Sequence, residues 1–153
     1  MPKITTFLTF DDQAEEAVEF YTSIFPNSRI VSTNRYGDAG PGPKGSLLTA
    51  TFELERQEFI ALNGGPSFSF SQGISLLARC ETQEKIDDYW ERLSEGGEKG
   101  PCGWLTDKFG VSWQVVPRVL GELLSDPDPE KANRVMQAML EMSKIEIEPL
   151  QQA

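Results

Sequence analysis

Apolar residues recur at helical spacing in two stretches of similar layout, and the first of them follows a short run that alternates between apolar and polar. The first alternating run, residues 4–10, predicts a β-strand. Asp12 then offers a helix cap, and Pro26 ends the helix that the following apolar stripe predicts. This stripe consists of Ala14, Ala17, Val18, Tyr21, Ile24 and Phe25. The chain is therefore expected to begin with a strand and an amphipathic helix.

The same succession returns in the second half of the chain. When the sequence is superposed on itself so that residues 74–78 lie on residues 5–9, a second apolar stripe falls on the first. The second stripe consists of Ile86, Tyr89, Trp90 and Leu93. Further strands are predicted at residues 29–36, 47–54 and 58–63. The pattern predicts a duplicated arrangement of one strand, one helix and several strands.

The last strand of the second half lies within residues 102–117. Residues 107–110 have the composition of a tight turn, in which Gly110 can take a positive φ. A strand follows and ends at Pro117. Its alternation predicts one apolar face, formed by Val111, Trp113 and Val115. The other face carries a lone amide, Gln114, between Ser112 and Val116.

These features resemble the vicinal-oxygen-chelate superfamily, the glyoxalase and bleomycin-resistance fold, and within it the PhnB-like branch, also described as the 3-demethylubiquinone-9 3-methyltransferase domain. The resemblance rests chiefly on residues 102–117, with support from residues 4–10, 14–21, 63–66 and 80–83. It implies an α+β fold in which two βαβββ modules form a cup-shaped sheet with the helices outside. It divides the chain into modules at residues 1–66 and 72–117 and a C-terminal helical extension at residues 118–153.

In metal-dependent members of this superfamily, four inward-facing ligands come from the first and last strands of each half. Carried over by the resemblance, these positions fall near Thr6 and Ser75, on Gln114, and on Ala61 or Asn63. Hydroxyl and amide groups are weak ligands for transition metals, so we expect no metal, and the sequence indicates no other cofactor. The same positions are expected to form a polar patch that binds a small organic molecule.

Other polar and aromatic residues allow more than one interpretation. Trp104 completes the expected ligand-binding set, since tryptophan beside a polar cavity can stack on a flat ligand, although core packing is the alternative. Gln114 has the alternative of a buried amide bound to backbone. Asp107 is interpreted as a turn residue rather than a general base. Cys80 and Cys102 are expected to be small buried apolar residues.

The resemblance leaves several functions open. The leading hypothesis is a metal-free protein that binds a small organic molecule. The alternatives are an enzyme that isomerises, cleaves or methylates its ligand, and a resistance protein that sequesters a drug. Methyl transfer from S-adenosylmethionine usually requires a glycine-rich loop after the first strand, where this chain has Asp11-Asp12. Residues 37–45, rich in glycine and proline, are a candidate lid.

Charge and hydropathy restrict the partners. The chain has 24 acidic and 14 basic residues and a net charge of −10, which repels nucleic acid and anionic membrane surfaces. No apolar run approaches the roughly 18 residues that cross a bilayer, and the start of the chain lacks a signal-peptide pattern. We therefore expect a cytoplasmic protein. The apolar stripe of residues 132–140 either docks on its own domain or forms a homodimer contact, and we expect a homodimer.

Overall fold

Two compact units make up the structure, a computed structural model that describes residues 3–153. The first unit ends at Ser69, and the second runs from Phe70 to Ala153. Each unit contains one four-stranded sheet with both parallel and antiparallel neighbours. No helix within residues 3–153 combines the length and apolar character needed to span a membrane.

In the first unit, one helix follows the first strand along the chain and precedes the other three strands. Its elements are β1 (Thr6–Phe10), α1 (Ala14–Ile24), β2 (Ser28–Arg35), β3 (Leu47–Leu54) and β4 (Gln57–Asn63). The strands lie in the order β1-β4-β3-β2. Strands β1 and β4 are parallel, and the other neighbours are antiparallel. The two parallel strands are joined by a long crossover, because a hairpin can connect only antiparallel strands.

Aromatic packing joins α1 to one face of the first sheet. Tyr21, on the apolar stripe of α1, is fully buried. Its ring stacks on Phe52 of β3 with centroids 6.4 Å apart. Phe52 in turn stacks on Phe59 of β4 at 5.4 Å. Because burial of one large apolar side chain contributes about 1.5–3 kcal/mol, this column of rings holds the helix on the sheet.

The second unit repeats the topology of the first. Its elements are β5 (Ser75–Cys80), α2 (Gln83–Ser94), β6 (Glu98–Lys99), β7 (Trp104–Thr106) and β8 (Ser112–Pro117). The strand order is β5-β8-β7-β6, with β5 parallel to β8. The hydroxyl of Thr82 accepts a hydrogen bond from the backbone N–H of Lys85 at 3.2 Å and caps α2. The predicted repeat of strand, helix and three strands is confirmed.

The offset between the two halves is not constant along the chain. Three residues, 11–13, join β1 to α1, whereas two, 81 and 82, join β5 to α2. A superposition that places the helix start Gln83 on Ala14 therefore fails to place the strand end Cys80 on Phe10. The predicted superposition holds for the helices and for the strand starts Thr6 and Ser75. The buried positions of the first strands differ from it by one residue, because Leu8 and Phe10 correspond to Ala78 and Cys80.

A small helical tail follows β8. It consists of α3 (Leu120–Leu124), α4 (Pro129–Leu140) and α5 (Ile147–Gln152). Its fully buried core consists of Val135, Ile145 and Leu150. The carboxylate of Asp128 accepts a hydrogen bond from the N–H of Glu130 at 3.0 Å and caps α4. Ile145 lies in this core, and Ile147 begins α5, although the two residues have the spacing of a strand.

The two-residue turn between β3 and β4 offers a test of backbone strain. Glu55 and Arg56 have φ values of 49° and 70°, typical of a type I′ hairpin that favours Asn-Gly. Glu55 accepts a hydrogen bond from Asn27 Nδ2 at 3.1 Å, so Arg56 is the residue to change. We expect Arg56→Gly to raise the free energy of unfolding by about 0.5–1 kcal/mol, because glycine has no Cβ to clash at positive φ.

Urea denaturation measures this change. Arg56→Ala is the control, since it removes the guanidinium but keeps the Cβ. Equal gains in the two variants would show that the side chain, and not the backbone geometry, was responsible.

Candidate functional site

The alternation of β8 gives the second sheet two different faces. Trp113 is buried on the face that packs against α2. Gln114 points the other way, directly opposite Trp104 of β7. On the other side of β8, Ser75 of β5 lies opposite Ser112. We call the surface that carries Ser75, Trp104, Ser112 and Gln114 the Gln114 face.

A side-chain hydrogen bond joins two of the predicted ligand-binding residues. Gln114 Nε2 donates to Ser75 Oγ at 3.0 Å, and both residues are half-buried. The alternative interpretation required the amide to bind backbone, whereas its partner is a side chain. Trp104, also half-buried, is its cross-strand neighbour. Three of the five predicted site residues therefore lie together on one face of the second sheet.

A cleft of about 380 Å³ opens beside Trp104. Thr106 and Ser112, which pair with each other across β7 and β8, form part of its wall. The other lining residues are Gln72, Glu98, Lys99, Gly100, Pro101 and Leu105. A volume of this size lies at the lower end of the range of small-molecule sites. Sequence reasoning did not include Ser112 in the site, although its place two residues before Gln114 predicts that the two share a face.

A buried carboxylate closes the turn before β8. Asp107 is 2% exposed. Its Oδ1 accepts hydrogen bonds from the backbone N–H groups of Phe109 at 2.9 Å and Val111 at 3.0 Å. Its Oδ2 accepts one from Trp113 Nε1 at 2.9 Å. Gly110, in the same turn, has the expected positive φ of 94°. The carboxylate organises the turn, as the sequence predicts.

The predicted site residues of the first unit lie elsewhere. Asn63 Oδ1 accepts a hydrogen bond from the N–H of Ala14 at 2.8 Å, and its Nδ2 donates to the carbonyl of Leu47 at 3.1 Å. Asn63 therefore caps the start of α1 from the end of β4. Thr6 pairs with the buried Phe59 and shares with it the face turned towards α1.

The one-residue change in offset between the two halves explains this placement. When buried positions are matched, Leu8 with Ala78 and Phe59 with Trp113, the counterpart of Ser75 is Thr5 and not Thr6, and the counterpart of Gln114 is Ile60. A displacement of one residue moves a side chain to the opposite face of a sheet. Thr6, Asn63 and Ala61 consequently lie on the helix side of the first sheet, a position that does not suit the predicted ligand-binding role.

The groups near the cleft do not suit a divalent transition metal. Within residues 3–153, no three histidine, cysteine, aspartate or glutamate side chains come close enough to hold an ion, and the chain has no histidine. Of the titratable residues that line the cleft, Glu98 is exposed, and Lys99 pairs with Glu91 at 2.8 Å. Hydroxyl and amide oxygens are poor substitutes for imidazole, thiolate or carboxylate ligands.

Comparison with known proteins shows a family and a fold. The family described as 3-demethylubiquinone-9 3-methyltransferase matches residues 2–116. A solved structure of a PhnB protein from Bacillus cereus, which carries the same methyltransferase description, is 43% identical and covers 76% of this chain and 99% of its own, with a TM-score of 0.69. No curated protein matches the chain.

Two more distant structures show the fold alone. Protein PA1353 from Pseudomonas aeruginosa is 20% identical, with a TM-score of 0.64, and covers 76% of this chain and 98% of its own. The fosfomycin resistance protein FosX from Listeria monocytogenes is 16% identical, with a TM-score of 0.56, and covers 80% of this chain and 97% of its own. The two βαβββ sheets are thus those of the glyoxalase and bleomycin-resistance fold.

From the hydrogen bonds of Asp107 we predict that a nearly isosteric substitution at this residue strongly destabilises the protein. Asp107→Asn replaces one acceptor oxygen by an N–H donor that then faces another donor. We expect the free energy of unfolding to fall by about 2–4 kcal/mol, because a buried N–H loses its partner. Guanidinium denaturation measures the loss. Asp126→Asn, at a partly exposed position of the tail, is the control, and a similar loss in both variants would contradict the turn's special role.

Cys80 predicts a pH dependence of stability. Of the two cysteines expected to be buried, Cys102 is only half-buried, whereas Cys80 is 2% exposed, and burial raises the pKa of its thiol from 9.0 to about 12. Above pH 9 the unfolded chain releases this proton while the folded protein keeps it. The stability is therefore fully present below pH 9 and declines as the pH rises towards 12, by at most about 1.4 kcal/mol per pH unit.

Denaturation at pH 8, 9 and 10 measures this slope. In Cys80→Ala the contribution of the thiol should be absent, so the variant should lose less stability over the same interval. Identical slopes in the two proteins would show that the thiol titrates alike in the folded and unfolded states.

Proposed function

Because this chain belongs to the 3-demethylubiquinone-9 3-methyltransferase family, the PhnB-like branch of the vicinal-oxygen-chelate superfamily, we propose that it binds a small organic molecule on the Gln114 face of its second sheet. Binding uses uncharged polar groups and an aromatic side chain, without a metal ion. The ligand has a flat apolar part that contacts Trp104 and a hydroxyl, carbonyl or amide group that reaches Gln114.

The hydrogen bond between Gln114 and Ser75 is the observation that carries the proposal. It holds an amide in a fixed orientation on a partly accessible surface beside a cleft. Within residues 3–153, the carbonyl oxygen of this amide accepts no hydrogen bond, so it is available to a ligand donor. An oriented polar group next to an aromatic wall is the usual composition of a small-molecule site.

The usual features of a site for S-adenosylmethionine, the cofactor that the family's name suggests, are absent from residues 3–153. The turn from β1 to α1 is Asp11-Asp12-Gln13 and contains no glycine. The first backbone N–H of α1, that of Ala14, is occupied by Asn63. Each sheet is four-stranded and mixed, whereas the usual cofactor fold is a doubly wound parallel sheet. We therefore favour binding over methyl transfer.

Homodimer formation and a cytoplasmic location stay predictions from the sequence. The apolar stripe of α4 is divided, since Val135 is buried in the tail core and Leu140 is 60% exposed. Part of the stripe thus docks on its own unit, as one of the two interpretations expected. Sedimentation velocity measures directly whether two copies associate.

A thermal-shift screen tests the proposed function. Its probes are uncharged aromatic compounds that carry hydroxyl, carbonyl or amide groups. We expect some of them to raise the melting temperature and to change the fluorescence of Trp104. Gln114→Leu should weaken the affinity of these compounds about tenfold, because one hydrogen bond to the ligand is lost.

Two controls make the result specific. Gln152→Leu changes an exposed glutamine of α5 and should leave the affinity unchanged. Treatment with EDTA should have no effect, because no metal takes part. Equal affinities in wild type and Gln114→Leu, or loss of binding after EDTA, would contradict the proposal.

A further inference from the structure

We propose that the C-terminal tail, residues 118–153, positions the wall of the cleft beside Trp104. The segment between α4 and α5 runs along the turn that precedes β7. The backbone N–H of Cys102 donates to the carbonyl of Met142, and that of Gly103 donates to the carbonyl of Ser143, both at 2.8 Å. Ser143 Oγ donates to the carbonyl of Gly100 at 2.7 Å. The tail therefore holds this turn through three hydrogen bonds.

Two side chains of α2, those of Gln83 and Asp87, bind the tail. Gln83, at the start of α2, donates from Nε2 to the carbonyl of Ile145 at 3.0 Å. Its Oε1 accepts from the N–H of Ile147 at 2.8 Å. Lys144, next to Ile145 in the chain, pairs with Asp87 of α2 at 2.9 Å. The residues that bind Gln83, Ile145 and Ile147, come shortly after Met142 and Ser143, which contact the turn. Loss of the Gln83 amide should therefore loosen the contacts between the tail and the turn.

The turn held by the tail adopts a conformation that needs support. Cys102 has a φ of 57°, which is uncommon for a residue with a Cβ, and Gly103 has a φ of 82°. A Cβ added at Gly103 would lie 2.7 Å from the carbonyl oxygen of Val115 and 3.0 Å from Ile145 Cγ1. The strand β8 and the tail therefore both pack closely against this residue. Such strain persists only where neighbouring contacts hold the backbone in place.

The same turn forms the wall of the cleft. Gly100, Pro101 and Trp104 line it. The N–H of Gly100 donates to the carbonyl of Trp104 at 2.8 Å, and the N–H of Trp104 donates to the carbonyl of Pro101 at 3.0 Å. These bonds connect the residues that the tail contacts with the aromatic side of the cleft. We infer that loosening the tail changes how far Trp104 is exposed.

The tail lies beyond the part of the chain that the family shares. The family match covers residues 2–116, and the tail begins after β8 ends at Pro117. The proposed role is therefore not one that the family match itself covers. The significance of that effect for ligand choice rests on the proposed function, whereas the structural link between tail and turn does not.

Gln83→Ala and Ile145→Ala test the link without deleting the tail, which could unfold the second unit. The probe is acrylamide, an uncharged quencher of tryptophan fluorescence. Trp90 and Trp113 are 2% and 3% exposed, so quenching reports chiefly on Trp104, and the difference from Trp104→Phe isolates its signal. We expect the quenching constant of Trp104 to rise about twofold in both variants.

Hydrogen exchange supplies an independent measurement. The amides of Cys102 and Gly103 should lose protection about tenfold in both variants, while those of β3 and β4 keep theirs. Gln152→Ala, in the same tail, is the matched control, since its side chain donates to Glu148 of its own helix. Circular dichroism establishes that each variant is folded.

The outcomes separate the two proposals. Unchanged quenching of Trp104 in both folded variants would overturn the positioning role, whether or not the amides of the turn lose protection. A rise in quenching together with lost protection supports it. If Trp104 responds in this way but no compound binds in the thermal-shift screen, the proposed function fails and the link between tail and cleft stands.

Discussion

The buried carboxylate of Asp107 sets the register on which the second unit depends. It binds the N–H of Val111 and the indole of Trp113, so that the first residues of β8 have fixed positions. A strand with a fixed start has fixed faces, because its side chains alternate. Trp113 is thereby directed into the core, and Gln114 is directed towards Ser75. A different register would exchange these two faces, with the amide in the core and the indole outside.

Features that depend on local spacing could be predicted from the sequence. The apolar stripes of both helices, the turn at Asp107 and the two faces of β8 all follow from the order of neighbouring residues. The correspondence between the halves does not, because it depends on loop length. Ala17 and Ile86 are both fully buried, in agreement with the predicted superposition of the helices. The loop between β5 and α2 is one residue shorter than its counterpart, which displaces the preceding strands, and Thr6 was therefore matched to Ser75 in error.

Contacts between residues far apart in the sequence were also beyond prediction. Asn63 was a reasonable candidate for a ligand-binding amide, yet it caps α1 through Ala14, 49 residues away. Gln83 carried no signal of its own, and its amide holds the tail 62 and 64 residues further on. An amide that binds backbone and an amide that binds a ligand have the same sequence pattern. Only the partners of each group, which the fold brings together, distinguish the two roles.

Comparison of the two sheets shows which positions of the repeated unit differ in side-chain chemistry. The helix side of each sheet must stay apolar, and Leu8 and its counterpart Ala78 are both buried there. The opposite side is less uniform, since Ser112 is buried there while Ser75 and Gln114 are half-buried. Ile60 occupies in the first sheet the position that Gln114 occupies in the second, so the two halves present different chemistry on equivalent strands. Because Gln114 and Ser75 are only half-buried, they are less constrained by packing than the helix side is. Under the proposed function, the choice of ligand would therefore depend on few residues, those of the Gln114 face.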